Sequence, residues 1–157
     1  MIVNSAVFGE MDVDVHAVYN IPGGLLGFED QEKYALITKQ DEDVTLKWFQ
    51  AVEDVVPCFV VFDPFDIIEG YDPIVEPSDL KHLGCKTFEE LTFLVIAVVP
   101  EDMTQTTVNL KSPIILNKSN QLARQVILAN RDYPVRFSLF PQPAFEEPAV
   151  AAESPAE

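Results

Sequence analysis

Two β-rich runs in the second half of the chain decide its fold. They read Thr106-Thr107-Val108-Asn109-Leu110-Lys111-Ser112-Pro113-Ile114-Ile115-Leu116-Asn117 and, a short way on, Gln125-Val126-Ile127-Leu128. The apolar stretches 114–116 and 126–128 consist of β-branched residues and leucine, which suit a buried strand. The polar segment 117–121 between them is typical of a hairpin connection. The two runs therefore predict a pair of antiparallel strands.

An alternating pattern precedes these runs. Val44, Leu46 and Trp48 alternate with the polar residues Thr45 and Lys47. Since successive side chains of a strand point to opposite faces, this spacing predicts a strand whose apolar set faces the core.

Three further segments are typical of strands. Residues 59–62 form a short β-branched and aromatic run, and residues 137–139 alternate around a serine. The segment 91–99 is apolar on both alternating faces, so we expect a central strand that ends at Pro100. The last strand is expected at 137–139.

Helix is scarce. The segment 77–83 places Leu80 and Leu83 on one face, and Gly84 is suited to the left-handed residue that ends a helix. Many short strands with turn signals and one or two short helices predict an all-β, mainly antiparallel fold, a small barrel-like domain.

A glycine-rich segment lies at residues 21–28. It lacks the lysine and hydroxyl residue of a phosphate-binding loop and the glycine spacing of a dinucleotide site. We expect a tight turn in which Gly23 or Gly24 takes a positive φ. Three apolar side chains of the segment are expected to pack inward, namely Leu25, Leu26 and Phe28.

The chain divides into a body and a tail. Its 157 residues are the usual length of one domain, and 48% of them are hydrophobic. Residues 1–140 are predicted to form this domain. Residues 141–157 are rich in Pro, Ala and Glu, and a segment with so little apolar surface is predicted to stay disordered.

Charge is distributed unevenly along the chain. Residues 1–102 carry 21 acidic and 5 basic residues, whereas 103–136 carry five bases and one acid, and 137–157 carry four glutamates without a base. The net charge of −16 predicts repulsion from nucleic acid and anionic membranes and attraction to basic proteins. Two simpler interpretations are also open. The acidic residues can serve only to keep the protein soluble, and the five bases of 103–136 can lie along a solvated strand edge.

No catalytic or metal-binding motif emerges. Cys58 and Cys85 are predicted to be reduced thiols, and neither they nor His16 and His82 show the short paired spacing of zinc ligands. We expect no metal, no cofactor and no enzymatic activity. A carboxylate hydrolase or small-ligand β-barrel remains an alternative, because carboxylates are abundant.

The location follows from two features. The first residues lack the basic start and apolar stretch of a signal peptide, and the longest apolar run, 93–99, is far below the ~20 residues that span a bilayer. We expect a cytoplasmic protein.

Four segments together resemble the family of flagellar assembly factors called FliW: residues 21–30, 59–64, 106–117 and 125–128. Their order and spacing match the family over about residues 1–140. The Thr-x-Asn-Leu-x-x-Pro-Ile pattern with the later Gln-Val-Ile-Leu is the most specific part. The Gly-Gly pair at 23–24 departs from the compact Gly-x-Pro-Gly-Phe arrangement common in the family.

The resemblance implies a non-enzymatic protein, a monomer when free, that switches between two partners. One is cytoplasmic flagellin, held through a helical terminal segment that suits a hydrophobic groove. The other is CsrA, a basic homodimeric RNA-binding protein that represses flagellin translation and is antagonised when flagellin is exported. A flagellin export chaperone that does not bind CsrA is the alternative.

The family motif nominates four partner-binding residues: Asn109, Pro113, Asn117 and Gln125. Each also has a structural interpretation, since asparagines satisfy turn backbones and proline starts strands.

Four further residues complete the predicted partner-binding set. Phe65 and Tyr71 are candidate exposed anchors, because loops carry binding residues more often than strands do. Glu146 and Glu147 are candidate contacts to a basic partner.

Overall fold

A computed structural model describes residues 1–140 of the chain. Within this part the strands and the α-helix are β1 (Ile2–Ser5), β2 (Gly9–Asp12), β3 (Val18–Asn20), β4 (Lys33–Asp41), β5 (Val44–Ala51), β6 (Cys58–Phe62), α1 (Pro77–His82), β7 (Leu91–Val98), β8 (Thr107–Val108), β9 (Ile114–Asn117), β10 (Leu122–Gln125) and β11 (Phe137–Ser138). Four short 3₁₀ turns lie between them. None of the helices in this part of the chain is long and apolar enough to cross a membrane.

Seven strands close into a ring. Their order is β7-β6-β5-β4-β3-β10-β9, and β9 pairs again with β7. The pairs around the ring are antiparallel except for β3 with β10. The prediction of a mainly antiparallel β fold with few short helices is confirmed.

Strand β7 closes the ring by pairing with strands on both of its edges. One edge pairs with β6, while the other pairs first with β9 over residues 91–94 and then with β8 over residues 97–98. Leu94 points into the ring, and Phe93 and Val95 pack on its outer face. Burial on both faces explains the continuous apolar run, and the predicted central strand is confirmed.

The ring interior is filled by aromatic and aliphatic side chains. Tyr34 and Phe49, both fully buried, stack with ring centroids 4.9 Å apart. Burial of a side chain of this size contributes about 2–3 kcal/mol to folding.

The predicted orientation of β5 is wrong. Phe49 and Ala51 face the interior, so Trp48 lies on the outer face. There its ring meets Phe8 edge-on, with centroids 5.0 Å apart. Phe8 follows β1 in the hairpin of β1 and β2, which therefore covers this part of the ring from outside.

A second apolar cluster covers the outer face of β7 and β9. It includes Leu83, which is 1% exposed. Helix α1 ends at His82, and Leu83 is its C-cap. Gly84 takes the predicted left-handed conformation with φ +72°, and the amide of Cys85 donates to the carbonyl oxygen of Leu80 at 3.1 Å. This pattern satisfies the last carbonyls of the helix and fixes Leu83 over the sheet.

The predicted hairpin exists, but its second strand starts earlier. Strand β10 at Leu122–Gln125 pairs with β9, whereas residues 126–128 lie outside the regular strands. The amides of Val126 and Leu128 still donate to the carbonyl oxygens of Pro113 and Lys111, at 3.1 and 2.9 Å. The apolar run therefore continues the pairing irregularly, which explains why it resembled a strand.

Candidate functional site: an apolar groove at the mouth of the ring

A groove of about 320 Å³ opens where β7 ends. Its lining is mostly apolar and comprises Leu26, Phe28, Phe59, Ile96, Val98, Thr107, Asn109, Gln125, Val135 and Arg136. Val98 is the last residue of β7 and lies on the same strand face as the inward Ile96. It therefore stands at the open end of the ring, where 65% of it is exposed.

The glycine-rich loop supplies one wall of the groove. Gly23 and Gly24 have φ +85° and +73°, as predicted, but only Leu25 of the three apolar residues packs inward. Leu26 and Phe28 are 54% and 41% exposed, so their predicted inward packing is wrong.

The outward position of Leu26 has a local cause. The amide of Phe28 donates to the carbonyl oxygen of Leu25 at 2.8 Å, which closes a tight turn. Gly27, with φ +86°, occupies the left-handed position of this turn. Leu26 lies at the tip, and Phe28 returns edge-on to Phe59 with centroids 5.2 Å apart.

Gln125 links the glycine-rich loop to the turn before β9 by hydrogen bonds. Its Oε1 accepts a hydrogen bond from the amide of Leu26 at 2.8 Å, and its Nε2 donates to the carbonyl oxygen of Ser112 at 3.1 Å. Gln125 thus positions the exposed leucine while lining the groove itself.

Asn109 has a comparable double role. Its Oδ1 accepts hydrogen bonds from the amides of Lys111 and Ser112, at 3.1 and 3.0 Å, and so closes the turn before β9. It also lines the groove. The structure therefore brings two of the four motif residues, Asn109 and Gln125, to one site.

The other two motif residues are buried and do not line the groove. Pro113 is buried directly before β9. Asn117 is 1% exposed, and its Nδ2 donates to the carbonyl oxygen of Leu83 at 2.7 Å, which ties the end of α1 to the hairpin.

Arg136 is the one charged residue among the described lining residues, which contain no Asp, Glu, His or Cys. This groove offers no carboxylate pair for hydrolysis. No cluster of three or more potential metal ligands occurs within residues 1–140 either. The groove can bind apolar side chains through Leu26, Phe28 and Val98, and polar groups at its rim.

The two predicted loop anchors lie elsewhere and differ from each other. Phe65 is 45% exposed and packs edge-on against Tyr71 at 5.3 Å. Tyr71 is 4% exposed, so its predicted role as an exposed anchor is wrong. Its hydroxyl donates to the carbonyl oxygen of Leu110 at 2.9 Å, and burial raises its pKa. Glu146 and Glu147 lie outside the described residues.

Phe65 and Tyr71 belong to a segment that we call the acidic strap, residues 63–76. It carries no base and five acids: Asp63, Asp66, Glu69, Asp72 and Glu76. The amide of Asp72 donates to the hydroxyl of Tyr133 at 2.7 Å, and the amide of Ile74 donates to Oδ1 of Asn130 at 2.8 Å. These contacts hold the strap across the outer cluster, and none of its residues lines the groove.

The cysteines show no sign of activation. Cys58 and Cys85 are free, and burial raises the pKa of both thiols. A thiol with a raised pKa stays protonated and is a poor nucleophile at neutral pH.

Sequence reasoning missed most of the groove, namely Leu26, Phe28, Phe59, Ile96, Val98, Thr107, Val135 and Arg136. Gly27 was the available signal, because a glycine suits the third position of a tight turn that begins at Leu25 and has Leu26 at its tip.

The geometry defines the class of protein. It is a small, mainly antiparallel β protein with a closed ring of strands and an exposed apolar groove at the mouth of the ring. The family model for FliW protein matches residues 2–139. The chain therefore belongs to the FliW family, as the sequence motifs predicted.

Curated relatives agree. The flagellar assembly factor FliW of Ruminiclostridium cellulolyticum is 38% identical over 136 residues, which is 87% of this chain and 92% of the relative. That of Leptospira interrogans serogroup Icterohaemorrhagiae serovar copenhageni is 37% identical over 140 residues, 88% of this chain and 93% of the relative. A crystal structure of the flagellar assembly factor FliW superposes with a TM-score of 0.81 at 24% identity, over 90% of this chain and 99% of that chain, and supports the fold.

Proposed function

We propose that this flagellar assembly factor acts without catalysis in the cytoplasm and switches between two protein partners. It holds a helical terminal segment of flagellin in the apolar groove. When flagellin has been exported, it binds and antagonises the translational repressor CsrA, which relieves repression of flagellin mRNA translation.

The groove is the observation that carries the flagellin half of the proposal. Leu26, Phe28 and Val98 present exposed apolar surface around a concave floor, with Asn109 and Gln125 at the rim. Helix-in-groove recognition needs this combination of apolar anchors and polar rim. Gln125, one of the motif residues, also fixes the wall of the groove through the amide of Leu26.

The acidic strap supports the CsrA half. CsrA is expected to be basic where it holds RNA, and a partner of opposite charge gains association rate and some affinity. Asp66, Glu69 and Asp72 are exposed on the strap, and Phe65 adds an exposed aromatic ring beside them. The strap and the groove share no lining residue, so each half is tested separately.

The flagellin half is tested with Val98→Asp and a matched control, Val44→Asp. Both valines lie at strand ends and are exposed, 65% and 54%, so neither change empties the core. Loss of a buried valine contact weakens binding by about 1.5 kcal/mol or more, which is at least tenfold in Kd.

The measurement is titration calorimetry with purified flagellin. Val98→Asp is expected to lose at least tenfold in affinity, while Val44→Asp binds as the unaltered chain does. Equal effects of the two changes contradict the groove as the flagellin site.

The CsrA half is tested by charge reversal, Asp66→Lys with Glu69→Lys. The matched control is Asp41→Lys with Asp43→Lys, at the end of β4 and in the turn that follows it. Both double variants change the net charge equally. Only the strap variant is expected to slow CsrA association, and to do so less as salt is added. Equal slowing by both variants indicates a general charge effect rather than a site.

Release of RNA separates the two candidate functions. Addition of the unaltered chain to a complex of CsrA with flagellin mRNA is expected to free the RNA, and flagellin is expected to reverse this. Flagellin binding without any effect on RNA-bound CsrA identifies an export chaperone instead. The same samples, measured by light scattering, test the expectation of a monomeric free protein.

A further inference from the structure

The hairpin of β1 and β2 leaves one edge of β1 unpaired within the described residues. Met1 and Val13 exchange two backbone hydrogen bonds, at 2.8 and 3.2 Å, so they form a hydrogen-bonded pair. In an antiparallel ladder such pairs alternate with pairs whose N–H and C=O groups point away from the partner strand. The register of β1 with β2 therefore places the backbone groups of Ile2 and Asn4 on the edge that faces away from β2.

This edge faces the loop at residues 52–57, between β5 and β6. Ala6, which continues the same backbone orientation, donates its amide to the carbonyl oxygen of Val55 at 3.0 Å. No second backbone hydrogen bond joins β1 to the loop within residues 1–140. A slot of about 250 Å³ lies between them instead, lined by Ile2, Asn4, Val52, Glu53, Asp54 and Val55. The pairing of β1 with the loop thus starts at Ala6 and leaves room for a strand beside Ile2 and Asn4.

The lining of the slot favours a basic ligand. It contains two acids, Glu53 and Asp54, and no base. Oδ1 of Asp54 accepts a hydrogen bond from the amide of Val55 at 2.7 Å, whereas Glu53 has no hydrogen-bond or ion-pair partner in the part of the chain that the structure describes. Ile2 and Val55, 56% and 43% exposed, add apolar surface. A segment with both basic and apolar side chains matches this lining.

A second copy of this chain matches the slot poorly. Strand β1 carries neither the lysine nor the proline that often protects an exposed edge from pairing. Pairing between copies, however, would bring the acids of one slot against a second chain of net charge −16. Like charges across an interface cost affinity, so the charge of the slot selects a basic protein over another copy.

We propose that β1 binds an extended basic segment of a protein partner, which adds a strand to the hairpin in this slot. The backbone of the segment exchanges hydrogen bonds with Ile2 and Asn4. Its basic side chains lie beside Glu53 and Asp54, and an apolar side chain contacts Ile2 and Val55. Strand addition takes its affinity from main-chain hydrogen bonds and its specificity from the side chains around the site.

The slot is separate from the two surfaces of the proposed function. It shares no lining residue with the groove, and none of its residues belongs to the acidic strap. Binding at β1 can therefore be measured without flagellin and without CsrA.

The probe is an acetylated and amidated pentapeptide, Val-Lys-Val-Lys-Val, titrated into the full chain and followed by amide NMR. The peptide is expected to shift the amide resonances of Ile2 and Asn4. It is also expected to slow the exchange of these two amides with solvent, because they gain acceptors. The same peptide with glutamate in place of both lysines is expected to leave the resonances unchanged.

Two substitutions of Asn4 separate its backbone from its side chain. Asn4→Pro removes the amide that faces the slot and breaks no hydrogen bond to β2, whereas Asn4→Ala keeps that amide. Asn4→Pro is expected to weaken peptide binding at least about 3-fold, the loss of one hydrogen bond, while Asn4→Ala binds as the unaltered chain does. The fluorescence of Trp48, which packs against Phe8, reports whether the hairpin stays in place in both variants.

Glu53→Lys tests the charge of the slot without altering β1. It is expected to weaken binding of the lysine peptide about 3-fold or more at low salt, and by less as salt is added. The matched control is Asp43→Lys in the turn at the opposite end of β5, which changes the net charge equally. This control is expected to bind the peptide as the unaltered chain does. If proline displaces the hairpin, the comparison of Glu53→Lys with Asp43→Lys decides.

Four results overturn the proposal. The first two are the absence of peptide binding at millimolar concentration and equal binding of the glutamate peptide. The third is equal affinity of Asn4→Pro and Asn4→Ala with the hairpin in place. The fourth is an equal loss in Glu53→Lys and Asp43→Lys, which indicates general charge attraction. All four concern the edge of β1 alone, so they leave the flagellin and CsrA halves of the proposed function as they stand.

Discussion

Two buried tyrosines test how a hydrogen bond to a buried hydroxyl group affects the stability of this fold. Tyr71 and Tyr34 are 4% and 0% exposed, and both pack among aromatic rings. The hydroxyl of Tyr71 donates to the carbonyl oxygen of Leu110 at 2.9 Å, whereas that of Tyr34 has no hydrogen-bond partner within the described residues. Replacement of each by phenylalanine removes one oxygen atom and little else.

The two replacements are expected to differ in sign. Tyr71→Phe leaves a buried carbonyl oxygen without its donor, which lowers the free energy of unfolding by about 1–3 kcal/mol. Tyr34→Phe removes a buried hydroxyl that gains nothing from the fold. It is expected to leave the free energy of unfolding unchanged or raise it by about 1 kcal/mol.

Urea unfolding measures both changes. Trp48 is the one tryptophan of the chain and packs against Phe8. Its fluorescence therefore reports the unfolding of the ring of strands and of the β1–β2 hairpin that covers it. The m-value is expected to stay constant, which makes the midpoint a direct measure of stability. A loss in Tyr34→Phe as large as that in Tyr71→Phe refutes the reasoning.

The buried phenol of Tyr34 also predicts that the stability of the fold decreases at alkaline pH. Burial raises the pKa of Tyr34 from 10.0 to about 12, so the folded state favours the neutral phenol. This contribution is fully present below pH 10 and is lost as the pH rises through 12, by about 3 kcal/mol in all. Stability measured from pH 9 to 12 is expected to fall less steeply in Tyr34→Phe, and equal slopes contradict the assignment.

Three further predictions concern the loop, the helix and the tail. Gly24→Ala is expected to destabilise the fold by at least about 2 kcal/mol more than Gly23→Ala, as measured by thermal unfolding. A Cβ at position 24 would meet backbone atoms at 2.6 Å, whereas a Cβ at position 23 would meet nothing within 4 Å. Arg124→Met removes the partner of Asp79, at 2.8 Å, and is expected to lower the free energy of unfolding in urea by about 1 kcal/mol. Because the side chain of Asp79 is only 15% exposed, 1 M salt is expected to destabilise the unaltered chain by less than this substitution does. Deletion of residues 141–157 is expected to slow CsrA association in stopped-flow mixing without a change in Tm, and unchanged rates across a salt series remove the tail from this step.

Local chemistry determined a large part of the fold. Alternation and β-branched residues located β5, β6, β7, β9 and β11, whereas β1 to β4 and β8 were not predicted. The apolar run of 91–99 predicted a central strand, because β7 is buried on both faces. Gly84 predicted the end of α1, and Gly23 and Gly24 predicted positive φ, because these conformations depend on a missing Cβ and not on distant contacts.

The groove was only half predictable. Asn109 and Gln125 were singled out by the family motif, and their hydrogen bonds explain why they suit the site. Leu26 and Phe28 were assigned to the core, because apolar residues are usually buried and the turn at Gly27 was not recognised.

Taken alone, the sequence determined several of the strands, where the helix stops and which positions need glycine, since these properties depend on neighbours along the chain. Only the tertiary structure decided which face of β5 fills the ring, why Tyr71 is buried while Phe65 is exposed, and where Val98 emerges. Those outcomes depend on closure of β9 onto β7, which gives the ring an inside, an outside and a mouth. The residues whose side chains this long-range pairing directs toward solvent show no local sequence pattern that predicts their exposure.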